Sequence, residues 1–227
     1  MGEDGPTHHG LFDFSYLRHI PNLIVMAPKD EDELQHMIRT AVECSAPVAV
    51  RYHRGKGPGA MISPTPGLLD IGKGEVVRQG SDVLILAIGS TVYPSLRAAE
   101  RLEAMGVHGA VINARFLKPL DEDLLCQRAS AVGRVLTVEE NVLQGGFGSA
   151  VLELFQEKGL RDVQVGRLGI PDLFMEHGPQ SLLRKKYGID EEGIFRGAMD
   201  LVEGRWSSSD GSDQHPAMER RILSPPR

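Results

Sequence analysis

Short apolar runs alternate with amphipathic stretches along most of this chain, and this alternation restricts the possible folds more than any other feature. The most apolar run, Asp82–Ile88, is typical of a central strand buried on both faces. The segment Val92–Met105 has helical character, with Pro94 in the first turn, where proline is tolerated, and Gly106 at its end. Strands alternating with helices of these lengths predict an α/β fold, an open parallel sheet covered on both faces.

A strand–helix–strand unit is predicted near the start of the chain. Asn22–Met26 is interpreted as a buried strand, and Asp30 as the cap of the helix that follows. Val48–Tyr52 is the second strand. Because a helix separates the two strands, we expect them to be parallel members of one sheet.

Gly, Pro, Lys and Ser dominate residues 53–69, which are predicted to form a linker or a long functional loop. The predicted organisation is a partial first domain at 1–60, a linker at 61–70, a second domain at 71–204 and a disordered tail at 205–227. Further strands are predicted at Ile71–Arg78, Gly109–Asn113, Arg134–Glu139 and Val163–Leu168, and further helices at Leu120–Ala131, between Gly148 and Lys158, at Gln180–Tyr187 and at Glu191–Glu203.

The composition excludes several classes of protein. The chain has 227 residues, 41% hydrophobic and 25% charged, as expected of a globular protein with one or two domains. A net charge of −6 does not favour a nucleic-acid surface. Cys44 and Cys126 lie far apart, which suits a reducing compartment better than a disulfide scaffold. Without a long apolar run or a signal-peptide pattern, the sequence predicts a cytoplasmic protein with no membrane partner.

Two stretches concentrate the chemically active side chains. Gly2–Gly10 combines acidic, hydroxyl and imidazole groups with three glycines, and Gly5-Pro6 marks it as a loop. Histidine exchanges protons near neutral pH, and a nearby carboxylate can fix its tautomer. The second stretch, Arg51–Gly55, follows a predicted strand at the position where ligand-binding loops often lie. Taken singly, these residues also fit ordinary turn-forming and solvated surface roles.

Six strings, in the same order and with similar gaps, resemble those of 1-deoxy-D-xylulose-5-phosphate synthase, a transketolase-like thiamine-diphosphate enzyme family. The strings are Asp4–Gly10 with Phe12-Asp13, Ser15–Arg18, Val50–Gly55, Arg115–Asp121, Val138–Asn141 with Gly145–Gly148, and Gly169–Asp172. The resemblance extends from the first residues to about Val202. It implies part of a transketolase-like pyrimidine-binding domain, followed by a transketolase C-terminal-like three-layer α/β domain.

The resemblance also implies a reaction and its cofactors. The family condenses pyruvate with glyceraldehyde 3-phosphate, with loss of CO₂, using thiamine diphosphate and Mg²⁺, and works as a homodimer. Its diphosphate-binding motif, its metal ligands and its cofactor-activating glutamate lie upstream of the stretch that this chain resembles. No cofactor-binding or metal-binding residue is therefore assigned here. We expect the C-terminal portion of such an enzyme, inactive alone and completed by an N-terminal half.

The resemblance assigns roles to three side chains. His8 corresponds to a catalytic histidine that transfers a proton at a developing alkoxide, and Asp4 to a catalytic carboxylate that orients this centre. Arg54 corresponds to the arginine that binds the phosphate of the aldehyde substrate through paired, charge-assisted hydrogen bonds.

Neighbouring polar residues are expected to have structural roles. Arg51 is predicted to form a structural ion pair, and His9 to be structural or to face solvent. The adjacent Glu139 and Glu140, at a strand end, are predicted to be packing and capping groups rather than catalytic acids.

Two other functions stay open on the sequence alone. The chain fits a partner subunit of a split transketolase or of a 2-oxoacid dehydrogenase, because the loop and the last domain occur in those relatives too. It also fits a non-catalytic dimerisation or ligand-sensing module built on residues 71–204.

Overall fold

A computed structural model of the chain describes residues 2–206. The strands are β1 (Ile24–Met26), β2 (Val48–Val50), β3 (Glu75–Arg78), β4 (Val83–Ala87), β5 (Gly109–Asn113), β6 (Phe116–Lys118), β7 (Arg134–Val142) and β8 (Gln164–Ile170). The helices are α1 (Asp13–Leu17), α2 (Glu31–Glu43), α3 (Val92–Ala104), α4 (Glu122–Val132), α5 (Phe147–Glu157), α6 (Gln180–Lys186) and α7 (Glu191–Val202). A 3-10 turn, Gly89–Thr91, leads into α3.

The larger sheet has the order β3-β5-β4-β7-β8, with the apolar strand β4 at its centre as predicted. β5, β4, β7 and β8 are parallel. The edge strand β3 is antiparallel to β5, which corrects the expectation of a wholly parallel sheet. Only residues 79–82 separate β3 from β4, and a parallel crossover needs a dozen residues or more.

Helices cover both faces of this sheet because β4 is apolar on both sides. Leu84 and Leu86 pack into a core with residues of α4 and α5. Val83 and Ile85 point the opposite way, into a core with residues of α3 and α7. The alternation follows from the two-residue period of a strand and gives the three-layer α/β arrangement that the sequence predicts.

The smaller sheet has the order β2-β1-β6. β1 and β2 are parallel, as predicted, with Ile24 beside Val48. The helix between them begins after Asp30, whose Oδ1 accepts a hydrogen bond from the Glu33 amide at 2.8 Å, so the predicted cap is confirmed. β6 comes from the second half of the chain and is antiparallel to β1, a pairing that the sequence did not predict. The sheet of the partial first domain is therefore mixed rather than wholly parallel.

A buried carboxylate joins α2 to the larger sheet. The Glu33 side chain accepts hydrogen bonds from the Asn113 amide nitrogen at 2.9 Å and from Arg115 Nε at 2.7 Å. Lys29 donates to the same carboxylate from its backbone nitrogen and from Nζ. Because Asn113 ends β5 and Arg115 precedes β6, this cluster fixes the two sheets relative to each other.

Residues 51–74 contain no helix or strand and include the predicted linker. Side chains of α2 nevertheless accept hydrogen bonds from the backbone of this segment. The backbone amides of Ser63, Gly67 and Leu69 donate to Asp32, His36 and Thr40 respectively. The linker is therefore held against the helix over three successive turns.

The first two residues of the predicted tail, Arg205 and Trp206, belong to the folded domain, and their backbone amides donate to the Asp200 carbonyl oxygen. Trp206 packs against the core between β8 and α7, so close that a Cβ on Gly166 would lie 2.8 Å from its ring. The rest of the predicted tail, residues 207–227, lies outside the described residues. Within residues 2–206, no helix is both long enough and apolar enough to span a bilayer.

Candidate active site

The two stretches singled out by the sequence lie against each other and enclose one cleft of about 160 Å³. Its lining includes Asp4, His8, His9, Arg51, Arg54 and Glu140. One wall is the loop Gly2–Gly10 before α1, and the other is the loop that follows β2. The three predicted site residues therefore share a cleft, while their chemical roles stay predictions.

The loop Gly2–Gly10 has a defined conformation. The His8 amide donates to the Gly5 carbonyl oxygen at 3.0 Å, which closes a turn. Gly5 has a φ of +83°, and a side chain there would overlap the His177 ring. His9 is only 6% exposed, and its Nε2 donates to the Gly2 carbonyl oxygen at 2.8 Å. His9 therefore has the predicted structural role and does not face solvent.

Asp4 and Arg54 form an ion pair with each other at the rim of the cleft. The Arg54 side chain is 78% exposed and that of Asp4 is 39% exposed. No hydrogen bond joins Asp4 to His8 within residues 2–206, so the carboxylate contacts the guanidinium rather than the imidazole. The Thr7 hydroxyl lies 2.8 Å from His8 Nδ1, and His8 itself is exposed to the cleft.

Arg51 forms the structural ion pair that the sequence predicts. Its Nε donates to Asp13 at 3.2 Å, and its terminal nitrogen donates to the carbonyl oxygens of Gly10 at 3.0 Å and Glu140 at 2.8 Å. The guanidinium also lies over the Phe14 ring, 4.8 Å from its centre. One side chain thus joins the end of the glycine-rich loop, α1 and β7.

Glu140 provides a buried negative charge beneath the cleft. Its Oε2 accepts hydrogen bonds from Arg184 at 2.6 Å and from the Ser90 hydroxyl at 2.7 Å. Burial alone would raise the pKa of Glu140, but the guanidinium groups of Arg184 and Arg51 lower this pKa to about 2. The sequence predicts Glu140 to be a packing and capping group and does not place it at the cleft, where the structure has it. Its place near the carboxyl end of a parallel strand, where binding residues collect, was the available signal.

Glu139 is confirmed as a capping group. Its carboxylate accepts hydrogen bonds from the backbone amides of Phe147 at 2.7 Å and Gly148 at 2.8 Å, at the start of α5. Burial raises the pKa of Glu139 to about 8, against the lowering effect of these two amides. A side chain on Gly146 would overlap this carboxylate, so the preceding turn requires glycine.

The cleft does not provide a site for a metal–diphosphate group. Within residues 2–206, no group of three histidine, cysteine or acidic side chains converges in a way that could hold a metal ion. The cationic group at the rim, Arg54, suits a single phosphate instead. Phosphate binding by Arg54 stays a prediction.

Family models match both parts of the chain. The model for the transketolase C-terminal domain matches residues 72–194, and the model for the transketolase pyrimidine binding domain matches residues 1–59. The chain belongs to the transketolase family.

Curated relatives narrow this assignment. The chain is 56% identical over 204 residues to 1-deoxy-D-xylulose-5-phosphate synthase 1 of Geobacter metallireducens. This alignment covers 90% of this chain and 33% of that protein. The chain is 56% identical over 202 residues to 1-deoxy-D-xylulose-5-phosphate synthase of Syntrophus aciditrophicus, covering 89% of the chain and 31% of that protein. The chain thus spans about a third of the length of these relatives.

Solved structures agree with the fold. A split gene transketolase, described as an inactive beta4 tetramer, superposes with a TM-score of 0.79 at 30% identity, covering 88% of this chain and 64% of that one. A transketolase mutant from Pichia stipitis superposes with a TM-score of 0.69 at 22% identity, covering 89% of this chain and 28% of that one, and shows the fold alone.

Proposed function

We propose that this chain is the C-terminal part of a 1-deoxy-D-xylulose-5-phosphate synthase. In this role it helps to condense pyruvate with glyceraldehyde 3-phosphate, with loss of CO₂. The observation that carries the proposal is that His8, Asp4 and Arg54 line one shared cleft. The 56% identity to two synthases supports the same reaction.

Arg54 binds the phosphate of the aldehyde substrate. Its guanidinium is exposed at the rim of the cleft, so a phosphate reaches it without displacing packed side chains. Its partner is the half-exposed Asp4, and exposed ion pairs contribute only about 0–1 kcal/mol. A phosphate dianion that forms two charge-assisted hydrogen bonds therefore competes favourably for this guanidinium.

His8 transfers a proton at the carbonyl oxygen of the bound aldehyde. The contact of Nδ1 with the Thr7 hydroxyl leaves Nε2 as the nitrogen for the reactant. General acid–base catalysis by a placed histidine contributes about 10²- to 10⁴-fold in rate. Release of Asp4 from Arg54 on phosphate binding would leave its carboxylate to orient His8, its predicted role.

Membership of the family implies dependence on thiamine diphosphate. We propose that Mg²⁺ is required as a second cofactor. The chain spans about a third of the length of the two synthases, and we assign the binding of both groups mainly to the rest of the enzyme. The proposed partners are therefore an N-terminal half, in a homodimeric enzyme, and the two substrates. The cytoplasmic location stays a prediction.

A chimeric enzyme tests the proposal. The first two thirds of the Geobacter metallireducens synthase would be fused to this chain and assayed for CO₂ release and product formation from the two substrates. Arg54→Ala should raise the KM for glyceraldehyde 3-phosphate at least about tenfold and leave the KM for pyruvate near its starting value. His8→Ala should lower kcat about 10²- to 10⁴-fold.

The matched control is Arg161→Ala, which removes an exposed arginine from the turn after α5. An Arg54→Ala chimera with an unchanged KM for the aldehyde would remove Arg54 from its role. Product formation by the chain alone, with added thiamine diphosphate and Mg²⁺, would contradict the incomplete site.

The second candidate is a separately encoded subunit of a split transketolase. The superposition on the split gene transketolase, over 88% of this chain, favours it. In that case the chimera would accept a ketose phosphate as donor and release no CO₂ from pyruvate.

A further inference from the structure

The segment that leads into α6 crosses both loops of the candidate site. The Gly178 amide donates to the Gly2 carbonyl oxygen at 3.4 Å, and the His177 ring lies against Gly5. Two residues further on, Gln180 Nε2 donates to the Arg54 carbonyl oxygen at 2.6 Å. A short stretch of the C-terminal domain thus contacts both the glycine-rich loop, Gly2–Gly10, and the loop after β2 that carries Arg54, here called the arginine loop.

α6 itself is fixed from below. Leu183 packs in a core with Leu11, the first residue after the glycine-rich loop, and with Ile170 at the end of β8. Arg184, which lies one helical turn after Gln180, donates to Glu140 beneath the cleft. Because Leu183 packs in this core and Arg184 is hydrogen-bonded to Glu140, the position of α6 is fixed, and with it the position of Gln180.

Gln180 contacts the backbone of the arginine loop. Arg54 follows the end of β2 in a stretch without helix or strand, and its side chain is largely exposed. A Cβ on Gly55 would lie 3.7 Å from Gln180 Oε1, and one on Gly2 would lie 3.8 Å from Gln180 Cγ. Gln180 therefore sits between the two loops, and its amide binds the backbone of the residue that carries the guanidinium.

We propose that Gln180 is a positioning residue for Arg54, through which the C-terminal domain sets the geometry of phosphate binding. This inference rests on the proposed function. Gln180 does not touch the substrate in this account. It acts by donating an N–H to the Arg54 carbonyl, which limits the conformations from which the guanidinium can meet a phosphate.

The test uses the chimera with Gln180→Ala and Gln180→Glu. The glutamate variant keeps the shape of the side chain but has no N–H to donate, so both variants should raise the KM for glyceraldehyde 3-phosphate about 3- to 10-fold, the range that one hydrogen bond supports. The kcat and the KM for pyruvate should stay within about twofold. Gln127→Glu, an exposed glutamine on α4, is the matched control.

Two further measurements separate positioning from general stability. With glyceraldehyde, which lacks the phosphate, Gln180→Ala should have no effect on KM. In an Arg54→Ala background, Gln180→Ala should add no further increase, because the two residues act on the same contact.

The outcomes distinguish the two proposals. If Arg54→Ala raises the KM for the phosphorylated aldehyde and Gln180→Glu does not, the positioning role is overturned and the proposed function stands. Equal losses with and without the phosphate would also overturn it. If Arg54→Ala itself leaves this KM unchanged, Arg54 has no role in phosphate binding and the positioning role of Gln180 is overturned with it, whether or not the chimera forms product.

Discussion

Replacing Arg184 with methionine tests the electrostatics beneath the cleft. The Glu140 side chain is 2% exposed, and Arg184 donates to it at 2.6 Å. Methionine keeps much of the apolar stem but removes the guanidinium. The buried carboxylate then loses the largest of the interactions that favour its charged form.

The size of the effect follows from the pKa. Surrounding charges lower the pKa of Glu140 from its usual 4.5 to about 2, which corresponds to about 3 kcal/mol of folding free energy at neutral pH. Because the folded-state pKa is the lower one, this stabilisation is present above about pH 4.5 and is lost as the pH falls toward 2. Arg184→Met should remove about 2–3 kcal/mol at neutral pH and flatten the loss of stability on acidification.

Urea unfolding, followed by the fluorescence of the single tryptophan, Trp206, measures this at about pH 7, 5 and 3. Arg161→Met is the matched control. The double variant Glu140→Gln with Arg184→Met should recover part of the loss, because no charge is then buried. The prediction is refuted if the free energy of unfolding of Arg184→Met at neutral pH is within about 0.5 kcal/mol of the parent's and falls on acidification as the parent's does.

Two further predictions concern the loops and the start of α5. Gly5 and Gly59 share a φ of +83°, but a side chain meets the His177 ring at Gly5 and nothing within 4 Å at Gly59. Gly59→Ala should therefore cost about 1 kcal/mol from backbone strain and Gly5→Ala about 1–3 kcal/mol more, and equal losses in urea unfolding would contradict the packing. The pKa of Glu139 is raised to about 8, so its contribution is full below about pH 4.5 and is lost as the pH rises through 8. Glu139→Gln should abolish this decline, and an unchanged pH profile of stability would count against the raised pKa.

Local pattern was enough to predict most of the larger sheet. The run Asp82–Ile88 indicated β4 because a strand buried on both faces is apolar at successive positions, as Val83–Ala87 are. Asp30 identified the start of α2 because its carboxylate is suited to accept the Glu33 amide. Both signals lie within a few residues of the feature that they predict.

The missed features depend on contacts that are distant in sequence. β6 has only three residues, within a segment that has no alternating pattern, and it exists as a strand because β1 offers it an edge. α1 is a single short helix whose one fully buried residue is Phe14. The burial of His9 and the position of Glu140 under the cleft arise from tertiary packing, which propensity and periodicity do not register.

The pairing of β6 with β1 has a consequence for how this polypeptide can be divided. The strand from residues 116–118 closes a sheet begun by residues 24–26, and Lys118 Nζ donates to the carbonyl oxygens of Arg18 and Ile20. If the gene were divided between the regions matched by the two family models, β1 and β6 would lie on separate polypeptides. Each strand would then have an unpaired edge, and unpaired edges form hydrogen bonds with strands of other molecules. The two regions are therefore expected to be inherited and expressed as one unit.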